Sequence, residues 1–509
     1  MKKNVIEYLI DSVQKYPNKV ALVDKNRKIT FAELDYEVKK VATAILQTCG
    51  PIKNQPIIVY MKKSIDCIVS FLGIVYSGNF YSPIDIKMPQ ERIGKILDKL
   101  HPAFVIYGKN PLETYEKSDC QMSFEQIVSS TQLAEPINNF RRVLDTDPVY
   151  VLFTSGSTGQ PKGVSICHHA VIDYTEWLHD VFQFDEHTVF GNQAPFYFDN
   201  SILDIYSTLK NASTLNIIPT QMFLLPNNLL EYLNSSEINT LFWVPTALIN
   251  LANSGLLSKI RLENIEKVLF CGEVMPNKQL NIWRKEYPSV LFANLYGPTE
   301  ITDVCTYYIV NRDFSDDEPL PIGKACENTE ILVLNDNNLL VNGDEVGELC
   351  VRGAGLSLGY YRDKEKTAQA FVQNPLNNRY HELIYRTGDL VKYNEYGELL
   401  FIGRKDQQIK HQGYRIELGE IEAISSAFNG LERVCAVYDD KNEKITLFCS
   451  VKDGCEGVTQ KEIYCYLKKH LSSYMLPSSI FIKKELPLNI NGKIDRISLK
   501  EELYKRKDY

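Results

Sequence analysis

Residues 154–163 read Thr-Ser-Gly-Ser-Thr-Gly-Gln-Pro-Lys-Gly, a run in which hydroxyls, glycines and one lysine crowd together. Glycines let successive backbone N–H groups turn toward one point, hydroxyls add donors, and Lys162 adds a positive charge, so the chemistry suits a bound anion such as a phosphate. A flexible polar turn has the same composition and is the plain alternative. The phosphate-binding P-loop is excluded. Its lysine directly follows glycine and precedes a hydroxyl, whereas Lys162 follows Pro161 and precedes Gly163.

The elements that must hold this loop alternate between helix and strand. Apolar residues recur at helical spacing over 4–15, 64–76 and 91–100, and short apolar runs at 21–24, 57–61, 103–108 and 149–153 read as strands. The same alternation continues through TLNIIP, TLFWVP and KVLFC. It predicts an α/β fold with parallel sheets covered by helices. From about residue 320 the runs are shorter and broken by Gly and Asn-Glu-Tyr-Gly turns, which predicts a β-rich subdomain over 320–403. We expect a large domain over 1–403 and a smaller α+β domain over 404–509, with a hinge between Arg404 and Asp406.

With 509 residues the chain exceeds the size of one core, so at least two domains are expected. A net charge of −8 argues against a nucleic-acid-binding surface. The 12 cysteines are dispersed with no C-x-x-C pair, which fits reduced thiols in a cytoplasmic protein. Glu7 and Asp11 interrupt the apolar stretch that a signal peptide needs, and no run of about 18 apolar residues predicts membrane insertion.

The loop has company. NLYGPTE (294–300), GELCVRG (347–353), YRTGDL (385–390), GRKDQQIK (403–410) and NGKIDR (491–496) follow it in order. Together these segments resemble the adenylate-forming enzymes, which include adenylation domains of nonribosomal peptide synthetases, acyl-CoA synthetases and luciferases. The resemblance implies ATP and Mg²⁺ as cofactors. It places Thr154, Ser155, Gly156, Ser157, Thr158 and Gly159 at the phosphates with Lys162, and Asn294, Leu295, Tyr296, Gly297, Pro298, Thr299, Phe401 and Arg404 around the nucleotide. Tyr296 is expected to stack on adenine, Asp389 to hold the ribose hydroxyls and Glu300 to ligate Mg²⁺. Lys493 is implied as the catalytic lysine bridging the acid and the α-phosphate, and Asp406 as the hinge. Many relatives carry arginine where Gln412 stands, so any role of that arginine in docking does not transfer.

The acid to be activated is indicated by NQAPFYFDNSILDIY (192–206), which resembles the amino-acid branch of the family. There Asp199 matches the carboxylate that receives the substrate ammonium; a buried carboxylate needs such a partner. The remaining pocket positions implied are Asn200, Leu203, Phe242, Leu269, Cys271, Leu295, Asp303, Val304 and Lys493. Around Cys271 and Asp199 the chain looks like the standalone D-alanine:carrier-protein ligases, which have a small apolar residue where Asp303 stands. Either Asp303 meets a polar or cationic substrate group, or it turns to a local donor such as Thr302.

We therefore expect an amino acid to be converted to its aminoacyl-AMP with release of pyrophosphate, then transferred to the phosphopantetheine thiol of a separate carrier protein. The rival readings are an acyl- or aryl-CoA ligase, disfavoured by Asp199, and a non-catalytic nucleotide-binding relative, disfavoured by Lys162, Glu300, Asp389 and Lys493 occurring together.

Overall fold

A computed structural model of the chain describes residues 2–133, 138–156, 160–406, 408–440, 442–452, 454–455, 457–488 and 494–505. Ser157, Thr158, Gly159 and Lys493 lie outside the described residues.

The apolar runs form strands of two large sheets. The nine-stranded sheet has the order Lys324–Ala325, Thr306–Ile309, Leu291–Tyr296, Lys267–Cys271, Thr240–Trp243, Val189–Asn192, Thr214–Ile217, Val20–Val23 and Lys28–Thr30. Its central strands pair in parallel and its outer pairs are antiparallel. A six-stranded sheet runs Gln121–Ser123, Phe104–Tyr107, Pro56–Tyr60, Phe80–Ile84, Pro148–Thr154 and Lys162–Cys167.

Strand alternation splits the nine-stranded sheet's side chains between two cores. Phe242, Leu269, Cys271, Ala293 and Leu295 share one face and belong to the larger core. Their neighbours Leu241, Trp243, Val268 and Phe270 fill a second core with Trp283 on the other face. Four of the positions expected around the acid, Phe242, Leu269, Cys271 and Leu295, are thus on one side of the sheet.

Helices close the layers. Phe31–Cys49 starts on a Thr30–Glu33 capping box, which satisfies backbone donors at the helix start. The helix Ile65–Tyr76 buries nearly every residue, and its Gly73 leaves room for Val41, whose side chain would lie 2.5 Å from an added Cβ. Thr329–Leu334, Gly347–Gly353, Leu383–Tyr393 and Phe371–Gln373 form the β-rich sheet expected beyond residue 320, with Leu399–Arg404 paired on Leu383–Tyr393.

The chain divides into two compact units: residues 1–86, 99–152 and 163–405, and residues 87–98, 153–162 and 406–509. In the second, the strands Leu431–Asp439, Lys444–Val451 and Ser479–Lys483 carry the helices Leu418–Ser426 and Gln460–His470 over a core of Ile416, Ile421, Leu447, Ile463 and Leu467. None of the 12 cysteines is in a disulfide. Among the described residues, no helix is long and apolar enough to cross a membrane.

Candidate active site

Asp389, expected at the ribose, lies on the strand Leu383–Tyr393 of the β-rich sheet. Strand register sets Asp389 opposite Arg404, whose Nη1 donates to Asp389 Oδ1, while the Tyr296 hydroxyl donates to Oδ2. Asp389 is buried. The Tyr296 and Phe401 rings lie 6.4 Å apart between centroids. Burial first, and then the Asp389 charge, push the Tyr296 phenol far above its ordinary range, so it remains a donor. The Asn294 amide is used by the backbone, donating to the Pro321 carbonyl at 2.8 Å.

Glu300 sits on the short turn Thr299–Ile301, fully buried, and accepts from the Tyr360 hydroxyl at 2.8 Å. Tyr360 bridges to Val164, and Tyr361 N–H donates to the Gly163 carbonyl at 2.7 Å, so Glu300 is tied to the strand that follows the phosphate loop. Gly297 admits this packing: a Cβ there would meet the Asp303 carbonyl oxygen at 2.3 Å. Among the described residues no group of three or more His, Cys, Asp or Glu side chains gathers as a metal cage.

The described part of the loop, in the smaller unit, shows anion-binding character. Gly156 N–H donates to Glu420 Oε2 at 3.3 Å and Lys162 pairs with Glu417 at 3.5 Å, both contacts within that unit. A Cβ on Gly156 would meet the Gln160 carbonyl oxygen at 2.2 Å. The buried Thr154 hydroxyl has no hydrogen-bond partner. Such an orphan donor at a loop already binding carboxylates fits a phosphate ligand.

Of the residues expected around the acid, Cys271 and Leu295 stand at or next to the carboxyl ends of parallel strands, where α/β sheets bind ligands. Lys63 Nζ donates to the carbonyls of Asn192 and Gln193, fixing the chain as it leaves its strand toward Asp199. Burial pushes Lys63 down to about 7. Asp199 caps the helix Asn200–Asn211 and accepts from Asn200 N–H at 3.1 Å; the Asn200 Nδ2 is buried without a partner. Leu203, Phe242, Leu269, Cys271, Leu295 and Val304 are all buried.

Asp303 is buried too, but its donor is not Thr302, as one expectation had it. Thr302 Oγ1 donates to the Gly355 carbonyl at 2.8 Å, and the Tyr174 hydroxyl donates to Asp303 Oδ2 at 2.7 Å. The left-handed φ of Thr302 (62°) and of Asp303 (74°) redirects this segment and separates the two side chains. Sequence reasoning also missed Tyr150, Tyr174 and Tyr360. Tyr150 stands in an apolar run where an aromatic reads as core, and the partners of Tyr174 and Tyr360, Asp303 and Glu300, are remote in the chain.

A family model described as AMP-binding enzyme matches residues 9–361. The D-alanine--D-alanyl carrier protein ligases of Bacillus licheniformis and Bacillus cytotoxicus are 33% and 32% identical, each comparison covering 97% of this chain and 99% of the relative. Among solved structures, IdnL1 superposes with a TM-score of 0.82 at 25% identity, covering 96% of this chain and 99% of that one. The Vibrio cholerae adenylation domain AlmE, in complex with glycyl-adenosine-5'-phosphate, has a TM-score of 0.84 over 99% of this chain and 98% of that one; at 20% identity the likeness is one of fold. With two thirds of its length matched by one family model and its relatives aligned end to end, the chain belongs to the AMP-binding enzyme family of AMP-forming ligases.

Proposed function

We propose that this chain adenylates an amino acid and passes the aminoacyl group to the phosphopantetheine thiol of a separate carrier protein. The observation that carries the reading is Asp199, a half-buried carboxylate at a helix start, four residues before the buried Leu203. An ammonium group is a natural ligand for a carboxylate set beside apolar side chains, and Asp199 stands at the position that the resemblance assigns to the substrate ammonium.

Asp389 supports a ribose role. A carboxylate offers about four lone-pair directions, so bonds from Tyr296 and Arg404 leave capacity for sugar hydroxyls. Tyr296 and Phe401 would face the adenine, with Leu295, Gly297, Pro298 and Thr299 forming the adjoining wall. Thr154, Ser155, Gly156 and Lys162 would receive the phosphates, joined by Ser157, Thr158 and Gly159. Mg²⁺ keeps most of its waters and phosphate oxygens, so the single buried carboxylate of Glu300 suits it, and the ion would offset phosphate charge.

In the first half-reaction a substrate carboxylate oxygen attacks the α-phosphorus, and the bond to the β-phosphate oxygen breaks with departure of pyrophosphate. Lys493 is assigned from its motif the task of stabilising charge on the carboxylate and α-phosphate. In the second, the carrier thiolate attacks the acyl carbon and AMP leaves. Asp406 begins the last segment of the smaller unit, which supports a hinge role for it between the half-reactions.

The test is carrier loading. With ATP, Mg²⁺, an amino-acid panel and a phosphopantetheinylated carrier, intact-protein mass spectrometry is expected to show one aminoacyl addition. Loading of free coenzyme A in preference to every carrier would overturn the transfer step, and no AMP formation with any amino acid would overturn the activation step.

A further inference from the structure

Lys63 stands in the turn between the strand Pro56–Tyr60 of the six-stranded sheet and the helix Ile65–Tyr76. Its ammonium donates to the carbonyls of Asn192 at 3.2 Å and Gln193 at 2.9 Å, where the chain leaves the strand Val189–Asn192 of the nine-stranded sheet. The same ammonium lies 5.6 Å from the centre of the buried Phe196 ring, within reach of a cation–π attraction. A side chain based on one sheet thus holds, at three points, the segment of the other sheet that leads to Asp199.

A second tie closes the far end. Asn192 Nδ2 donates to Asp204 Oδ2 at 2.6 Å, and Asp204 belongs to the helix Asn200–Asn211 that Asp199 caps. Strand end and helix are therefore joined across 12 positions of chain, with Asp199 between them. Inside that span Phe198 N–H donates to the Pro195 carbonyl at 3.0 Å, and Ile202 N–H donates to the Asp199 carbonyl at 2.7 Å. With both ends held, Asp199 is placed by this clamp as well as by its own helix.

The cluster is a poor source of stability. Burial lowers Lys63 to about 7 and raises Asp204 to about 7, and the Oδ1 atoms of Asn192 and Asp204 are buried with no hydrogen-bond partner among the described residues. A partly satisfied buried polar network is worse for stability than an apolar core. What such a network can offer is placement of the backbone that it grips.

We propose that Lys63 is a positioning residue for the amino-acid site: with Asn192 and Asp204 it sets where Asp199 stands, and so how tightly the substrate ammonium is held. This inference rests on the reading that Asp199 receives that ammonium, and it names what aims the carboxylate.

The experiment is ATP–pyrophosphate exchange with the full chain, using as probe the fastest of the standard L-amino acids and D-alanine, at varied amino acid and varied ATP. Lys63→Met keeps the side chain's length and removes its donors; KM for the amino acid is expected to rise by about 10- to 100-fold while KM for ATP moves by less than about 3-fold. Lys63→Arg still gives N–H groups to two carbonyls and should stay within about 5-fold of wild type. Asn192→Ala cuts the tie to Asp204 and should show the same split in KM; it carries the test if the melting temperature shows that Lys63→Met is unfolded. Coupling gives the sharpest readout. Because Lys63 acts through Asp199, adding Lys63→Met to Asp199→Ala should cost less than about 3-fold more. An unchanged KM for the amino acid in folded Lys63→Met, equal rises in both KM values, the full loss added on top of Asp199→Ala, or unfolding of both Lys63→Met and Asn192→Ala would each overturn the positioning role while leaving adenylation standing. Full activity in Asp199→Ala would overturn the reading of Asp199 on which it rests, and exchange with no amino acid at all would overturn both.

Discussion

Asp389 and Arg404 face each other on adjacent antiparallel strands, and the guanidinium donates to the carboxylate that also receives the Tyr296 hydroxyl. The strand pairing places both, so the carboxylate is oriented before any nucleotide arrives. Preorganised acceptors lose less on binding than ones that must be ordered.

Asp389→Asn keeps the shape and removes the charge. We expect kcat/KM for ATP to fall by about 10- to 100-fold, the scale of one or two charge-assisted hydrogen bonds, with the melting temperature little changed. Tyr296→Phe retains the ring and should cost less than Asp389→Asn. Pyrophosphate exchange at varied ATP measures both.

Glu300→Gln preserves an acceptor for the Tyr360 hydroxyl but removes the charge. The Mg²⁺ concentration for half-maximal activity should rise by about 10-fold or more, while Tyr360→Phe, which only frees the carboxylate's orientation, should shift it less. Mg²⁺ titrations of the three proteins decide. Equal curves would remove Glu300 from the metal site.

Gly297→Ala places a methyl group against the backbone carbonyl of Asp303. Backbone does not yield as a flexible side chain would, so a loss of about 1–3 kcal/mol is expected by chemical denaturation, together with altered amino-acid selectivity. A variant as stable and selective as wild type would show that the segment from Gly297 to Asp303 is not tightly set.

His168 is buried, and its Nδ1 faces the backbone N–H of Val5 at 3.4 Å, which suits the neutral ring. Burial pushes it down to about 3 from an ordinary 6.5. Between these values the unfolded chain binds a proton that the folded chain refuses. Stability contributed by the neutral ring is therefore complete above about pH 6.5 and is lost as pH falls toward 3, by at most about 1.4 kcal/mol per pH unit. Denaturation of His168→Asn, which keeps an acceptor near Nδ1, should show a shallower decline over the same window.

The elements were legible where local pattern decides them. VYVLF, TLFWVP and KVLFC could be read as strands because β-branched and aromatic runs bounded by breakers rarely form anything else, and these form parallel pairs as expected. Asp389 and Glu300 were singled out through motif context. The tyrosines were not. The partners Tyr174 and Asp303 lie 129 positions apart, a relationship set by packing the helix His168–Phe182 near the turn after Tyr296, which no local spacing records. The direction of Asp303 depended on two successive left-handed residues, and neither Thr nor Asp announces that conformation as glycine would. An expected boundary at residue 403 also missed that residues 87–98 and 153–162 group with the C-terminal segment, since such grouping is a property of contacts in space.

The central claim is that an amine-bearing acid is activated at Asp199. It is tested most directly by pyrophosphate exchange comparing the best amino acid with its deaminated analogue, in the wild type and in Asp199→Ala. The account predicts exchange with the amino acid only, reduced by at least about 100-fold in Asp199→Ala. Equal exchange with the deaminated acid, or full activity in Asp199→Ala, would contradict it.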